Sequence, residues 1–111
     1  MAVGNCYASF PNSRIRARKA TQTADTGIVT VNASGPVNTL VRPANSDRTY
    51  LTLRNTGAVP LRYGYVDRPT LFQDGMLLNP GDAVDIESLQ AIYAVCTTGG
   101  PTEATWDEGV G

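Results

Sequence analysis

Hydrophobic and polar side chains alternate most clearly in the stretch RTYLTLRNTGAVPLRYGY, which runs from Arg48 to Tyr65. Thr49, Leu51 and Leu53 fall on one side of an extended chain, and the intervening residues fall on the other, which is the period of a strand. The alternation resumes at Val59 after an Asn-Thr-Gly segment whose residues tolerate a tight reversal. We therefore predict a β-hairpin, with Arg48, Tyr50, Thr52 and Arg54 facing outward and with Leu51, Leu53, Tyr63 and Tyr65 on the core face.

Shorter alternating or apolar segments, separated by turn residues, predict further strands at 28–32, 37–41, 84–86 and 91–96. Pro80 and Gly81 suit the two central positions of a type II turn. The last inward face is predicted to contain Thr102, Ala104 and Trp106, followed by a short acidic tail. Seven or eight strands suffice for two packed sheets. The predicted fold is all-β, a single small antiparallel β-sandwich of jelly-roll type.

The first 25 residues lack this strand pattern and are polar, so we predict an extended N-terminal arm (1–25) followed by the sandwich domain (26–111). Three arginines alternate with Ile15 and Ala17 in the arm, so an extended chain would present them on one side at intervals of about 6.7 Å. Guanidinium groups in such a row can pair with carboxylates or phosphates, and the alternative is a solvated tail. The candidate partner-binding residues are Arg14, Arg16, Arg18 and Lys19.

The net charge of −1 conceals a division along the 111 residues. Residues 1–62 contain eight basic and two acidic side chains, whereas residues 63–111 contain one basic and eight acidic side chains. Copies of the chain could therefore attract one another, basic part to acidic part, in an ordered assembly. The alternative is that interleaved strands mix the charges. The basic row lacks interleaved aromatic residues, which favours assembly over nucleic-acid binding.

The residues needed for common catalytic chemistry are missing. The chain has no histidine, which removes the usual general base and the commonest zinc ligand. Asp82, Asp85 and Glu87 cluster in sequence, but their spacing matches no calcium loop and favours a solvated strand edge. We expect no enzyme activity, no cofactor, no metal and no small-molecule substrate. Cys6 and Cys96 are expected to be free thiols, because no export signal or long apolar segment is visible and synthesis in a cytosol is expected.

Three segments, RTYLTLRNTGAVPLRYGY, DGMLLNPGDAVDI and AIYAVCTTGG, together resemble the small all-β accessory proteins of tailed bacteriophage virions. These proteins include head decoration (cement) proteins and related head or tail fibre modules. The resemblance covers about half of the chain. The positions that carry it are Arg48, Leu51, Leu53, Asn55 and Gly57, then Gly75, Leu78, Pro80 and Gly81, then the residues from Ala91 to Ala94 and Gly99.

The resemblance implies a capsid decoration protein that binds the outer surface of a phage head after synthesis in the host bacterial cytoplasm. Its partners would be the major capsid protein, clamped through the arm, and other copies of itself in a homotrimer, with no membrane contact. One alternative is a neck, tail or fibre-base subunit of the virion. An alternative of another class is a carbohydrate-binding sandwich that uses Tyr50, Tyr63, Tyr65 or Trp106 as a stacking platform.

Overall fold

The computed structural model describes residues 23–111, which form eight strands and one short helix. The arm residues 1–22, which include the candidate residues Arg14, Arg16, Arg18 and Lys19, lie outside the described part. The elements are β1 (Thr23–Val31), β2 (Thr39–Arg42), β3 (Arg48–Asn55), β4 (Leu61–Gly64), α1 (Leu71–Asp74), β5 (Met76–Leu78), β6 (Ala83–Asp85), β7 (Ile92–Cys96) and β8 (Thr102–Val110). Strand β1 begins earlier than predicted and includes three residues that were assigned to the arm.

The strands form two four-stranded antiparallel sheets that pack face to face. The β1 sheet has the order β1-β8-β3-β6, and the β2 sheet has the order β2-β7-β4-β5. Each strand of the first half pairs with its counterpart from the second half, β1 with β8, β2 with β7, β3 with β6 and β4 with β5. This is a long two-stranded ribbon rolled into two layers, the jelly-roll arrangement. The predicted all-β jelly-roll sandwich is confirmed.

The predicted hairpin between β3 and β4 is wrong, because these consecutive strands lie in different sheets. The fully buried side chain of Asn55 directs the crossing: its Nδ2 donates to Val59 O at 2.9 Å, and its Oδ1 accepts from Gly57 N at 3.1 Å. Gly57 N also donates to Glu103 O on β8 at 2.9 Å. The Asn-Thr-Gly segment is therefore a turn, as its residues indicated, but it carries the chain from one layer to the other.

The core between the sheets contains the residues whose alternation was clearest in the sequence. Leu51 and Leu53 of β3 are buried, as predicted, and so are Thr102, Ala104 and Trp106 of β8. Tyr63 is also buried, but Tyr65 is exposed because β4 ends at Gly64 and the alternation stops there. The remaining members of the core cluster are Val31, Val41, Leu61, Leu78, Ile86, Ile92, Ala94 and Cys96.

The structure confirms the predicted type II turn between β5 and β6. Gly81 has φ of 86°, the left-handed backbone that this turn requires at its third position, and Asp82 N donates to Asn79 O at 2.9 Å. Helix α1, in contrast, was not predicted. Its Leu71 is fully buried, and the helix contacts β4 and β7 from the outer side of the β2 sheet. The helix packs mainly on the two central strands of this face, where Leu40 and Leu77 of the edge strands stay exposed, and no helix of residues 23–111 lies on the outer face of the β1 sheet.

Replacement of Gly57 tests the crossing loop. A Cβ atom there would lie 1.8 Å from Thr102 Oγ1 and 2.6 Å from the backbone nitrogen of Glu103. We expect Gly57→Ala to lower the free energy of unfolding, measured by urea denaturation, by about 3 kcal/mol. Gly99→Ala is the control, because Gly99 has φ of 58° but nothing within 4 Å, so its cost is about 1 kcal/mol. Equal losses would show that β8 does not hold the loop closely.

Candidate assembly surface

Charge is distributed unevenly between the described body and the segment that precedes it. Residues 23–111 contain all ten acidic side chains and five arginines, which gives the body a charge of −5. Residues 1–22, called the leader below, contain four basic side chains and no acidic one, which gives +4. The leader therefore carries basic side chains alone, whereas the body carries both signs with an excess of carboxylates.

Four of the five arginines of the body are at least partly buried and are bonded within the molecule. Arg42 and Arg48 both bind Glu108, at 2.7 Å in each case. Arg62 donates to a backbone carbonyl, and Arg68 pairs with a carboxylate on α1. The fifth, Arg54, is exposed and makes only a 3.2 Å hydrogen bond to a turn carbonyl. The cations of the body are thus largely withdrawn from contact with a partner.

The acidic side chains have the opposite distribution, because nine of the ten are exposed. Three of them, Asp85, Glu103 and Asp107, lie on the open outer face of the β1 sheet, which we call the acidic face. Register places Asp107 and Asp85 in one row across the sheet, on either side of Thr52. Thr52 Oγ1 donates to Asp85 Oδ1 at 2.9 Å. Arg54 is the single cation among the strand residues of this face.

A groove of about 650 Å³ opens at one end of the acidic face. Its lining combines the exposed apolar side chains of Tyr50 and Leu89 with the carboxylates of Asp85 and Glu87. Such a lining suits side chains that have an aliphatic stem and a cationic head, since the stem can cover apolar surface while the head meets a carboxylate. The hydroxyl groups of Thr49, Tyr50, Thr52 and Ser88 complete the polar part of this lining.

The buried charges lie beneath this surface in a cluster formed by Glu108, Arg42 and Arg48. The side chain of Glu108 is 2% exposed, and its two oxygens bind different arginines: Oε1 accepts from Arg42, and Oε2 accepts from Arg48. Arg48 also donates to the backbone carbonyls of Pro43, Ser88 and Gln90. The guanidinium of Arg42 stacks over Trp106, 3.9 Å from the ring centroid. One carboxylate therefore joins both sheets and two loops.

Arg48 was predicted to face outward and Thr49 to share the face of Leu51 and Leu53, and both predictions are wrong because Arg48 is buried and Thr49 is exposed. The pairing of β3 with β8 shifts register between Arg48 and Tyr50, so that a bulge at Thr49 reverses the direction of the first side chain in the strand. Arg48 points inward beside Glu108 as a result, while Tyr50 keeps the predicted outward direction. A bulge adds one residue to one strand only, and it breaks the simple alternation from which the prediction was made.

Glu108 was placed in an acidic tail by the sequence, but it belongs to β8 and is buried. Extending the alternation of Thr102, Ala104 and Trp106 by one more step would have placed Glu108 on the inward face. A carboxylate in that position requires a cation, because burial of an unpaired charge is costly. Burial raises the pKa of Glu108, but hydrogen bonds from Arg48 and Arg42 and their positive charges outweigh this effect and hold the pKa below its ordinary value.

The other sites considered from the sequence are not brought together in residues 23–111. The described part contains no group of three or more potential ligands that could hold a metal ion, so Asp82, Asp85 and Glu87 do not form one. Tyr63 and Trp106 are buried. The exposed Tyr50 lies on β3 of one sheet and the exposed Tyr65 follows β4 of the other, so these four residues do not form a common aromatic platform.

Cys96 is a buried free thiol whose pKa is raised by burial, which keeps it in the unreactive protonated form, while Cys6 lies outside the described residues. No helix in the described region is long and apolar enough to cross a membrane.

No protein-family model matches the chain, and no curated protein matches it. The fold and the distribution of charge are therefore the physical observations on which a function can be argued.

Removal of the buried carboxylate tests the cluster. Glu108→Gln leaves Arg48 buried without its counter-charge, so we expect the free energy of unfolding to fall by about 3–5 kcal/mol at neutral pH. Glu103→Gln, in the same strand but exposed, is the matched control and should change it by less than about 0.5 kcal/mol. Both values can be measured by urea denaturation. Equal effects would contradict a bridging role for Glu108.

The ion pairs of Glu108 also predict that the unfolding free energy depends on pH. Because the folded-state pKa of Glu108 lies below the unfolded value of about 4.3, its contribution is complete above that pH and is lost as pH falls through the folded-state value. The difference in unfolding free energy between the unaltered chain and Glu108→Gln should therefore shrink on acidification below about pH 4. Denaturation midpoints measured across this range provide the check. A difference that is constant with pH would contradict the depressed pKa.

Proposed function

We propose that this chain is a non-catalytic structural protein of a virion, a capsid decoration protein that attaches to the outer surface of a phage head. Its cationic leader contacts neighbouring major capsid proteins, and its sandwich body stays outside as a rigid cap, with copies associating as a trimer. The observation that carries the proposal is the separation of charge: the body binds its own arginines internally and exposes carboxylates, so the cations available to a partner are concentrated in the leader.

The residues that carry the sequence resemblance have structural roles in the body. Leu51 and Leu53 are core residues, Asn55 directs the crossing between layers, and Gly57 is closely packed on β8. They account for a stable sandwich without any catalytic group. Recognition of a partner must therefore come from the exposed charges and from the leader, which is the division of labour expected of a protein that attaches to a larger surface.

Many weak contacts are sufficient for such a role. Individual exposed ion pairs contribute about 0–1 kcal/mol each. A repeating shell presents the same contact many times, and association among copies converts weak single contacts into strong overall attachment. A row of four basic side chains in a short leader therefore suits attachment to an acidic surface that repeats.

Joint replacement of Arg14, Arg16 and Arg18 by serine tests the attachment. We expect binding to heads that lack this chain to weaken and to depend less on salt, because exposed ion pairs are screened by salt. The measurement is the amount bound in a sedimentation assay across a series of salt concentrations. Arg54→Ser is the control, because it removes the exposed arginine of the body, and it should leave binding and its salt dependence close to unaltered.

An unchanged affinity and salt dependence in the triple variant would contradict attachment through the leader. The position in the virion is tested separately by the copy number on purified particles. Hundreds of copies per particle are expected of a head decoration protein, whereas a single ring of copies would indicate the alternative, a neck or tail subunit.

A further inference from the structure

Strand β1 is an unusually long open edge of the sandwich. It is nine residues long, and it pairs with β8 along its whole length without a register shift. The order of the sheet gives it no second neighbour among the described strands. The other three edge strands, β2, β5 and β6, contain only three or four residues each. The β1 edge therefore presents far more unpaired backbone than any other edge in residues 23–111.

This edge lacks the devices that usually prevent strands from pairing with other chains. Natural edge strands are typically short or carry charges, proline or bulges. From Thr26 to Val31 the strand contains no charge and no proline, and it is rich in β-branched residues. Ile28 is 70% exposed on the outer face. An edge of this kind is suited to accept a further strand.

The two faces beside this edge specify what such a strand should contain. On the inner face, Val29 is only partly buried against the core, so an apolar side chain in an added strand would bury more of the Val29 side chain. On the outer face, Thr26 and Thr30 are short, and their partners on β8 are Asp107 and Glu103. Long cationic side chains from an added strand could cross a short threonine and reach these carboxylates. The edge therefore fits a strand with cations on one face and apolar residues on the other.

The leader contains such a sequence. In residues 14–18, arginines occupy every second position and Ile15 and Ala17 lie between them. We propose that this segment of one copy adds as a strand to the β1 edge of a second copy, with its arginines over the acidic face and Ile15 and Ala17 towards the core. This inference rests on the proposed function only in taking the leader as the element that binds a partner, and it assigns the three arginines to a neighbouring copy on the shell in place of a direct contact with the capsid protein.

The turn residues favour a second copy over the same chain. Residues 19–22 separate the segment from the start of β1, and they read Lys-Ala-Thr-Gln. A tight hairpin prefers glycine, asparagine, aspartate or proline at its turn, and none is present. Exchange of leaders between neighbouring copies avoids this turn. Repeated head to tail, the contact would close a symmetric ring if the rotation between copies allows it.

Opposite charges at Ile28 test the proposal in the full-length chain. This exposed side chain lies on the outer face, where the leader arginines of the second copy would pass. We expect Ile28→Lys to repel them and Ile28→Glu to attract them, so that the association constants of the two variants differ about tenfold at low salt. Sedimentation equilibrium gives these constants, and the difference should decrease at high salt.

Three further variants make the result specific. Leu77→Lys and Leu77→Glu carry the same charges on β5, an exposed edge of the other sheet, and should not differ from each other. Combining Ile28→Lys with Arg16→Glu should recover part of the association that Ile28→Lys loses, because the charges are then exchanged. Unfolding free energies of all variants, measured in parallel, show whether a loss of association reflects a loss of folding.

The outcomes separate this inference from the proposed function. A chain that is monomeric at low salt, or one in which the two Ile28 variants associate equally, overturns leader exchange. A monomer whose unfolding free energy alone depends on the charge at position 28 indicates docking within one chain and also overturns it. Attachment to heads by such a monomer would leave the capsid attachment of the proposed function standing and would overturn its trimer. Charge-dependent association without attachment would support the exchange and overturn the proposed function.

Discussion

The carboxylate of Glu108 forms the ion pairs that connect the two sheets of this protein. It lies on the inner face of β8, in the β1 sheet, and binds Arg42, at the end of β2 in the other sheet. Its second oxygen binds Arg48, which also holds the loops that contain Pro43 and Ser88. A buried carboxylate between two arginines is tolerable because the hydrogen bonds replace lost hydration, and removing the carboxylate leaves Arg48 buried without a counter-charge. One end of the sandwich is therefore closed by polar contacts.

This cluster also shapes the surface. Because Arg42 and Arg48 are directed inward, the body loses two of its five cations from the exterior, while a single carboxylate is withdrawn with them. The outer face of the β1 sheet then carries Asp85, Glu103 and Asp107 with Arg54 as the cation among its strand residues. If leaders are exchanged as proposed, stability and recognition are linked, since the ion pairs that close the interior leave an exterior rich in carboxylates, opposite in charge to the leader.

The rolled ribbon topology explains why one edge is long and the rest are short. Strands β1 and β8 are the two ends of the ribbon and pair over nine residues, whereas the other edge strands, β2, β5 and β6, contain three or four residues each. The helix packs on the β2 sheet, and no helix of residues 23–111 lies on the outer face of the β1 sheet. The open face and the open edge therefore belong to the same sheet, which concentrates the surfaces available to a partner on one side of the body.

Local pattern alone determined the all-β class, the inward faces of β3 and β8 and the turn at Gly81, because alternation and turn chemistry depend only on neighbouring residues. The basic row of the leader could also be read directly from the sequence. The acidic face could not, since it depends on the register that brings Asp85 and Asp107 together across β3. Tertiary structure likewise decided that β3 and β4 lie in different sheets and that a bulge directs Arg48 inward. These choices are settled by distant partners, above all Glu103 and Glu108 on β8, whose positions no local pattern specifies.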